Sequence, residues 1–209
     1  MKIAVLGANG RTGILLVSEL LTRGHTVHGL GFGKSPADHP KFKWFSGDAT
    51  NRLDLLSCIT GVDVVISTLG HTRKTKTPIQ TDSMKILTSL LKDKKIRIIS
   101  MTGTGVRQLN DTPSLIDKLL NISIKLIDPA RVSDGIDHAD VLKNSDIEYT
   151  ILRVLKLGNG DNVQRYKLTS GGPAVNLINR ITVANILADL AESKSWLKKM
   201  PVASTLIAQ

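Results

Sequence analysis

The chain has 209 residues, a formal net charge of +10, 41% hydrophobic residues, only 3% aromatic residues and a single cysteine. That length accommodates one α/β core with at most a small appendage, and no run reaches the roughly 18 consecutive apolar residues of a membrane-spanning helix. One cysteine excludes an internal disulfide, and basic residues scattered in short clusters among acids, with few aromatics to stack on bases, argue against a nucleic-acid partner. A cytoplasmic protein without a membrane partner, monomeric or weakly dimeric, is expected.

The first apolar run, residues 3–6, reads as a strand, and the leucine-rich stretch 14–21 as an amphipathic helix. Between them lies Gly7-Ala8-Asn9-Gly10-Arg11-Thr12-Gly13. Strand, glycine turn and helix in that order make a phosphate site: Gly7 permits a sharp exit, Gly10 lets amides approach a pyrophosphate, and Gly13 lets the helix pack closely. The helix adds its unpaired N–H groups and positive dipole end. The context is that of a dinucleotide fingerprint, so Gly7, Asn9, Gly10, Arg11, Thr12 and Gly13 are expected to bind the cofactor.

Arg23-Gly24-His25 stops the helix, and residues 26–30 read as the second strand. NAD sites usually carry an acid about 20 residues beyond the glycine turn, where it binds the ribose 2′-hydroxyl. Here the corner is Leu30-Gly31-Phe32-Gly33-Lys34, with no acid. A carboxylate would repel a 2′-phosphate, whereas Lys34 and Arg11 can neutralise one, so NADP(H) is expected in preference to NAD(H).

Residues 42–45 form a short third strand, followed by Gly47-Asp48-Ala49. In a doubly wound fold this strand ends beside the adenine, where Asp48 can accept a hydrogen bond and Ala49 can lie against the ring. Asp48 equally suits the cap of a helix at 51–60, in which Cys58 sits beside Leu55, Leu56 and Ile59 as a buried apolar residue. The nearly continuous apolar run 62–69 reads as a central parallel strand beside the first. Strand order reverses between these two, which places Thr68, Leu69 and Gly70 against the cofactor. The loop 71–78 holds Arg73, Lys74 and Lys76 on the same side; such a run is usually a solvated face, yet its position makes these cations candidates to hold an acidic substrate or the cofactor's phosphates, with Arg73 counted among the cofactor-binding residues.

Residues 81–92 have helical spacing, and 96–101 form the fifth strand, ending in Ser100-Met101-Thr102-Gly103-Thr104-Gly105. Hydroxyls at this edge face the nicotinamide in a doubly wound oxidoreductase, so Thr102 and Thr104 are candidates to polarise a carbonyl or orient a water. Residues 115–120 read as helix, 122–127 as an apolar run of undecided type, and 136–144 as a helix carrying His138 near Asp134, Asp137 and Asp140. A histidine beside carboxylates can relay protons. The five histidines show no close pair at ligand spacing, so no metal site is expected. Residues 147–155 give the sixth strand, 158–162 a turn into 166–169, 182–192 a helix capped by Asn179, and 202–207 a last strand. The expected architecture is one Rossmann domain over 1–209: a doubly wound, mainly parallel sheet in an α/β/α sandwich, with a small substrate-side region at about 155–180.

These residues resemble the atypical short-chain dehydrogenase/reductases with an NAD(P)H-binding Rossmann domain, particularly the biliverdin-IXβ reductase/flavin reductase group and the NmrA-like proteins. The likeness covers nearly the whole chain. It rests on the glycine loop, Gly47-Asp48, residues 62–70 with Thr72-Arg73, the fifth strand, and Val141-Leu142-Lys143-Asn144-Ser145-Asp146-Ile147-Glu148-Tyr149-Thr150. It implies an NADPH-binding reductase that passes hydride to a planar conjugated acceptor of flavin, tetrapyrrole or quinone type, which can be anionic. Through the NmrA-like proteins it also implies the alternative of an NADP(H)-sensing regulator that turns over little and acts on a protein partner. The chain departs from its relatives at Gly103, where serine is common, at Phe32 for arginine, at Val154 for proline, and at Lys156, where biliverdin-IXβ reductase has a histidine. A Tyr-x-x-x-Lys pair is absent, since Tyr149 is followed four residues later by Arg153 and Tyr166 by Ser170. Secondary-alcohol chemistry is correspondingly disfavoured.

Overall fold

The computed structural model of the chain describes residues 1–70 and 77–206. Strand β1 (Lys2–Leu6) leads through the glycine loop into α1 (Gly13–Thr22), followed by β2 (Thr26–Gly31), β3 (Phe42–Ser46), α2 (Arg52–Ile59) and β4 (Val64–Ser67). The second half contains α3 (Ile79–Leu91), β5 (Arg97–Gly103), α4 (Leu115–Ile127), α5 (Pro129–Lys143) and β6 (Tyr149–Val154). Short strands β7 (Leu157–Gly158), β8 (Tyr166–Thr169) and β9 (Ile178–Asn179) precede α6 (Arg180–Glu192) and β10 (Val202–Thr205).

The main sheet has the order β3-β2-β1-β4-β5-β6-β10-β8, and β7 pairs with β9 separately. Every pair in the main sheet is parallel except the antiparallel β10–β8 edge. The expected doubly wound Rossmann fold is therefore present. β1 is its axis: Ile3 registers with Val27 of β2 on one side and Val64 of β4 on the other. Side chains alternate across the sheet, so Ile3 and Val5 join the core under α1 and α6, while Ala4 and Leu6 join the core under α2, α3 and α5. Both faces are covered, which is why residues 3–6 of β1 and 64–66 of β4 are all apolar.

Several boundaries differ from expectation for local reasons. Asp48 does not cap α2. Asn51 does, accepting from the N–H groups of Leu53 and Asp54, while the Asp48 carboxylate closes a turn on the Thr50 N–H and hydroxyl at 2.8 Å each. The two stretches 115–120 and 122–127 are one helix, α4, capped by Ser114. α5 begins at Pro129, where a missing N–H costs nothing, and is capped by Asp128. Asn179 stands at the N-cap of α6 but spends its amide on Gly160 and Asn162 instead. Among the described residues no helix is long and apolar enough to cross a membrane. Cys58 is buried, and burial pushes its thiol up to about 12, as suits an inert core residue.

Candidate functional site

Parallel strands bring all their carboxyl ends to one edge, so the glycine loop, residues 32–34, Asp48, Thr68 to Gly70 and Thr102 meet there. Gly7 turns out of β1 with φ +73°, a left-handed conformation that glycine adopts without strain. The N–H groups of Gly7 and Ala8 both donate to Leu30 O, at 2.9 and 3.0 Å, and Gly10 N–H donates to Gly7 O at 2.9 Å. From the β4 side the Thr68 hydroxyl shares its proton between Leu6 O (2.9 Å) and Gly7 O (3.1 Å), and Leu69 packs against Gly7. A Cβ on Gly13 would collide with the Gly7 carbonyl and stand 2.9 Å from Ala8 Cα, so only glycine lets α1 start this close to the sheet.

The consequence is electrostatic. The backbone N–H groups of Arg11, Thr12 and Gly13 have no hydrogen-bond partner among the described residues, and the Thr12 hydroxyl makes no cap bond. These unspent donors at the positive end of α1 fit a pyrophosphate.

The corner after β2 is equally constrained. Asn9 Nδ2 donates to Phe32 O, and Trp44 Nε1 donates to Gly33 O at 3.1 Å. A side chain on Gly31 would press on Trp44 at 3.0 Å and on Asn9. Phe32 and Lys34 project outward, exposed, and residues 30–34 contain no acid. Ala49 is buried beneath this edge, and among the described residues none lies within 4 Å of where a Cβ on Gly70 would stand. Arg73, with Lys74 and Lys76, lies outside the described residues. Arg11 is exposed and close enough to Arg180, the first residue of α6, that its charge helps burial to lower the Arg180 pKa.

At the end of β5 the three catalytic candidates have different surroundings. Thr102 Oγ1 lies against Gly135 of α5, where a Cβ would come within 2.8 Å, and makes no hydrogen bond among the described residues. The Thr104 hydroxyl is committed inside the fold, donating to Asp117 Oδ1 at 2.6 Å and accepting from Asn121 Nδ2 at 3.0 Å. His138 is buried under the sheet. Its Nδ1 lies 2.8 Å from Gly135 O and its Nε2 3.1 Å from the Ser100 hydroxyl, so the neutral ring donates to the carbonyl and accepts from the serine. The carboxylates expected to form a relay with it go elsewhere. Asp134 accepts from the N–H groups of Gln80 and Thr81 at the start of α3, Asp137 accepts from Ser133, and Asp140 binds Lys143. Helical spacing puts these acids near His138, but the ring turns inward to the sheet.

Burial holds both His138 and His28 below the ordinary imidazole value of 6.5. A depressed folded pKa means that the full stability is present above 6.5 and is lost as pH falls from there toward the folded value, because the unfolded chain takes up the protons. The thermal midpoint should therefore drop between pH 7.5 and pH 5.5; an unchanged midpoint would show that both rings protonate freely in the fold.

Some buried groups at this edge have no sequence signal. Arg153 on β6 meets both carboxylate oxygens of Asp111, and Ser100 would have been read only as a strand residue. A cavity of about 450 Å³ lined by Lys2, Thr26, His28 and Phe42 opens at the opposite, amino-terminal edge of the strands and takes no part in this site.

The profile of the NAD(P)H-binding family matches residues 7–194, from the first glycine of the loop to just beyond α6. The chain belongs to the NAD(P)H-binding family. Solved structures share its fold. A short-chain dehydrogenase/reductase from Veillonella parvula in complex with NADP has a TM-score of 0.80 at 20% identity, over 97% of this chain and 94% of that one. A protein described as a NADH-flavin reductase from Streptococcus pneumoniae gives 0.78 at 22%, over 99% and 100%. An anaerobilin reductase from Escherichia coli O157:H7 gives 0.80 at 17%, over 100% and 99%. In sequence, a 3-beta-hydroxysteroid dehydrogenase from Mycolicibacterium neoaurum is 37% identical over 68 residues, which is 32% of this chain and only 19% of that protein's length. The glycine cradle and its unspent N–H donors lie within the stretch that the NAD(P)H-binding profile matches.

Proposed function

We propose that this member of the NAD(P)H-binding family is an NADPH-dependent reductase acting on a planar conjugated acceptor of flavin, tetrapyrrole or quinone type. When bound, the nicotinamide cofactor supplies the hydride. The chain's own residues hold and orient: the N–H groups of Arg11, Thr12 and Gly13 take the pyrophosphate, and Thr68 with Leu69 walls the crevice between β1 and β4. Lys34, at the acid-free corner after β2, neutralises a 2′-phosphate. The observation that carries the choice of reaction is the hydroxyl of Thr102, without a hydrogen-bond partner among the described residues at the end of β5, in a chain without a Tyr-x-x-x-Lys pair. Such a hydroxyl can orient a water or an acceptor heteroatom, which suffices where the acceptor itself delocalises the incoming charge.

The test is NADPH oxidation in the presence of FMN, biliverdin and a simple quinone, each against a protein-free background. Reduction of at least one acceptor well above background is expected. The commitment of Thr104 to Asp117 and the burial of His138 favour the second reading, a redox-sensing regulator, because they leave so few groups for proton transfer. Tight NADPH binding with no acceptor reduced would overturn the reductase and favour that sensor.

A further inference from the structure

Helices α1 and α6 pack side by side on one face of the sheet. Their carboxyl ends are tied by Arg23, whose Nη1 meets Asp189 at 2.7 Å and Glu192 at 2.8 Å, and by His25 Nε2 with Glu192 at 2.8 Å. Arg11 precedes Arg23 by the same number of residues as Arg180 precedes Glu192. The alignment therefore brings Arg11 and Arg180 together at the opposite ends. There the pattern reverses. At the carboxyl ends the arginine meets acids, whereas at the amino ends the charge of Arg11 acts on Arg180 and neither arginine has a carboxylate partner among the described residues.

Arg180 is held in place from behind. Its Nη1 donates to Gly158 O at 3.0 Å and to Asn159 Oδ1, which fixes the guanidinium on the β7 turn that follows β6. Arg11 makes no hydrogen bond or ion pair among the described residues, and its charge is felt at Arg180. α6 packs over β4 and β5, so the pair lies on the side of the glycine loop away from the β2 corner. In a doubly wound fold that is the nicotinamide half of the crevice. Two like charges brought together without a counter-ion repel at some cost to the folded chain, and an anion between them removes that cost.

We propose that Arg11 and Arg180 form a two-armed clamp for a phosphate or carboxylate on the nicotinamide side of the loop, with Arg180 the fixed arm and Arg11 the arm that closes. The inference rests on the NAD(P)H site proposed above but not on turnover. The anion has two sources, the cofactor's own pyrophosphate or an acidic group on the acceptor, such as the phosphate of FMN. It is distinct from the 2′-phosphate, which belongs to the β2 corner.

Binding separates these cases. NADPH and NADH are titrated by nicotinamide fluorescence, and FMN and riboflavin, which share a ring system but differ by a phosphate, by flavin quenching. Arg180→Gln is expected to weaken at least one phosphate-bearing ligand by about tenfold, the scale of one charge-assisted hydrogen bond, with riboflavin unchanged and Arg180→Lys intermediate. An equal loss for NADPH and NADH identifies the pyrophosphate, and a loss for FMN over riboflavin identifies the acceptor. If Arg180→Gln does not melt as one cooperative unit, Arg11→Gln carries the same measurement, since its side chain holds nothing in the fold. Unchanged affinities for all phosphate-bearing ligands in a normally melting variant overturn the clamp. Absence of NADPH binding in the unsubstituted protein would instead overturn the cofactor reading itself.

Discussion

Asp111→Ala is expected to cost about 3–5 kcal/mol of stability, the range for removing one partner of a buried ion pair, and so to lower the thermal midpoint by roughly 10 °C. The reason lies in Arg153, whose side chain is 0% exposed. Its guanidinium meets both Asp111 oxygens and also donates to Met200 O at 2.8 Å, Val106 O at 3.1 Å and Ser170 O at 2.9 Å. One side chain on β6 thereby ties the loop after β5, the turn after β8 and the approach to β10. Without Asp111 the positive charge stays buried with only carbonyl dipoles around it, and relaxing it requires opening that junction. The double variant Arg153→Met with Asp111→Leu should recover much of the loss, because matched apolar groups carry no desolvation penalty. Calorimetry on the three proteins decides it; a midpoint within about 2 °C of the parent in Asp111→Ala would show that water or a rearranged acid reaches the arginine.

The same pair marks the limit of what the chain's pattern discloses. Residues that act locally are legible. Gly7 to Gly13 needs only its flanking strand and helix, and the apolar runs of β1 and β4 reflect burial on both faces, which any doubly wound sheet imposes. Arg153 and Asp111 meet across 42 positions of sequence, and no periodicity records such a meeting. Arg180 is likewise one of 28 lysines and arginines until α1 and α6 align. The pattern of α4 conceals its continuity for a different physical reason. Leu115, Ile116, Leu119 and Leu126 are exposed, whereas the residues turned inward include Asp117 and Asn121, which hold Thr104. An apolar stripe normally reports a core face, and here the packed face is polar. His138 shows the converse case, in which proximity in sequence to three acids suggests a relay that the direction of the ring does not make.

Phe32→Asp is expected to raise the Kd for NADPH by about tenfold or more while leaving NADH unchanged or tighter, reversing the preference proposed for this site. Three features make position 32 the one place for the change. Gly31 has no room for a side chain beside Asn9 and Trp44, and Gly33 adopts φ +74°, where a side chain is strained. Phe32 is 63% exposed and its carbonyl is already anchored by Asn9, so its side chain can be replaced at little cost to the fold, within about 0.5 kcal/mol. A carboxylate there would stand where the proposed cofactor site places the ribose. It repels a dianionic 2′-phosphate by an amount on the order of 1–4 kcal/mol per charge pair at a few ångströms, and it offers a 2′-hydroxyl an acceptor that the corner otherwise lacks. Lys34→Ala separates the two contributions, since it removes attraction for the phosphate without adding the acceptor and should weaken NADPH alone; salt screens both effects, so the loss of NADPH affinity shrinks with ionic strength in both variants. Fluorescence titration of both cofactors at low and high ionic strength reads all of these terms. If the ratio of the two affinities moves by less than about twofold in both variants, the acid-free corner does not read the phosphate.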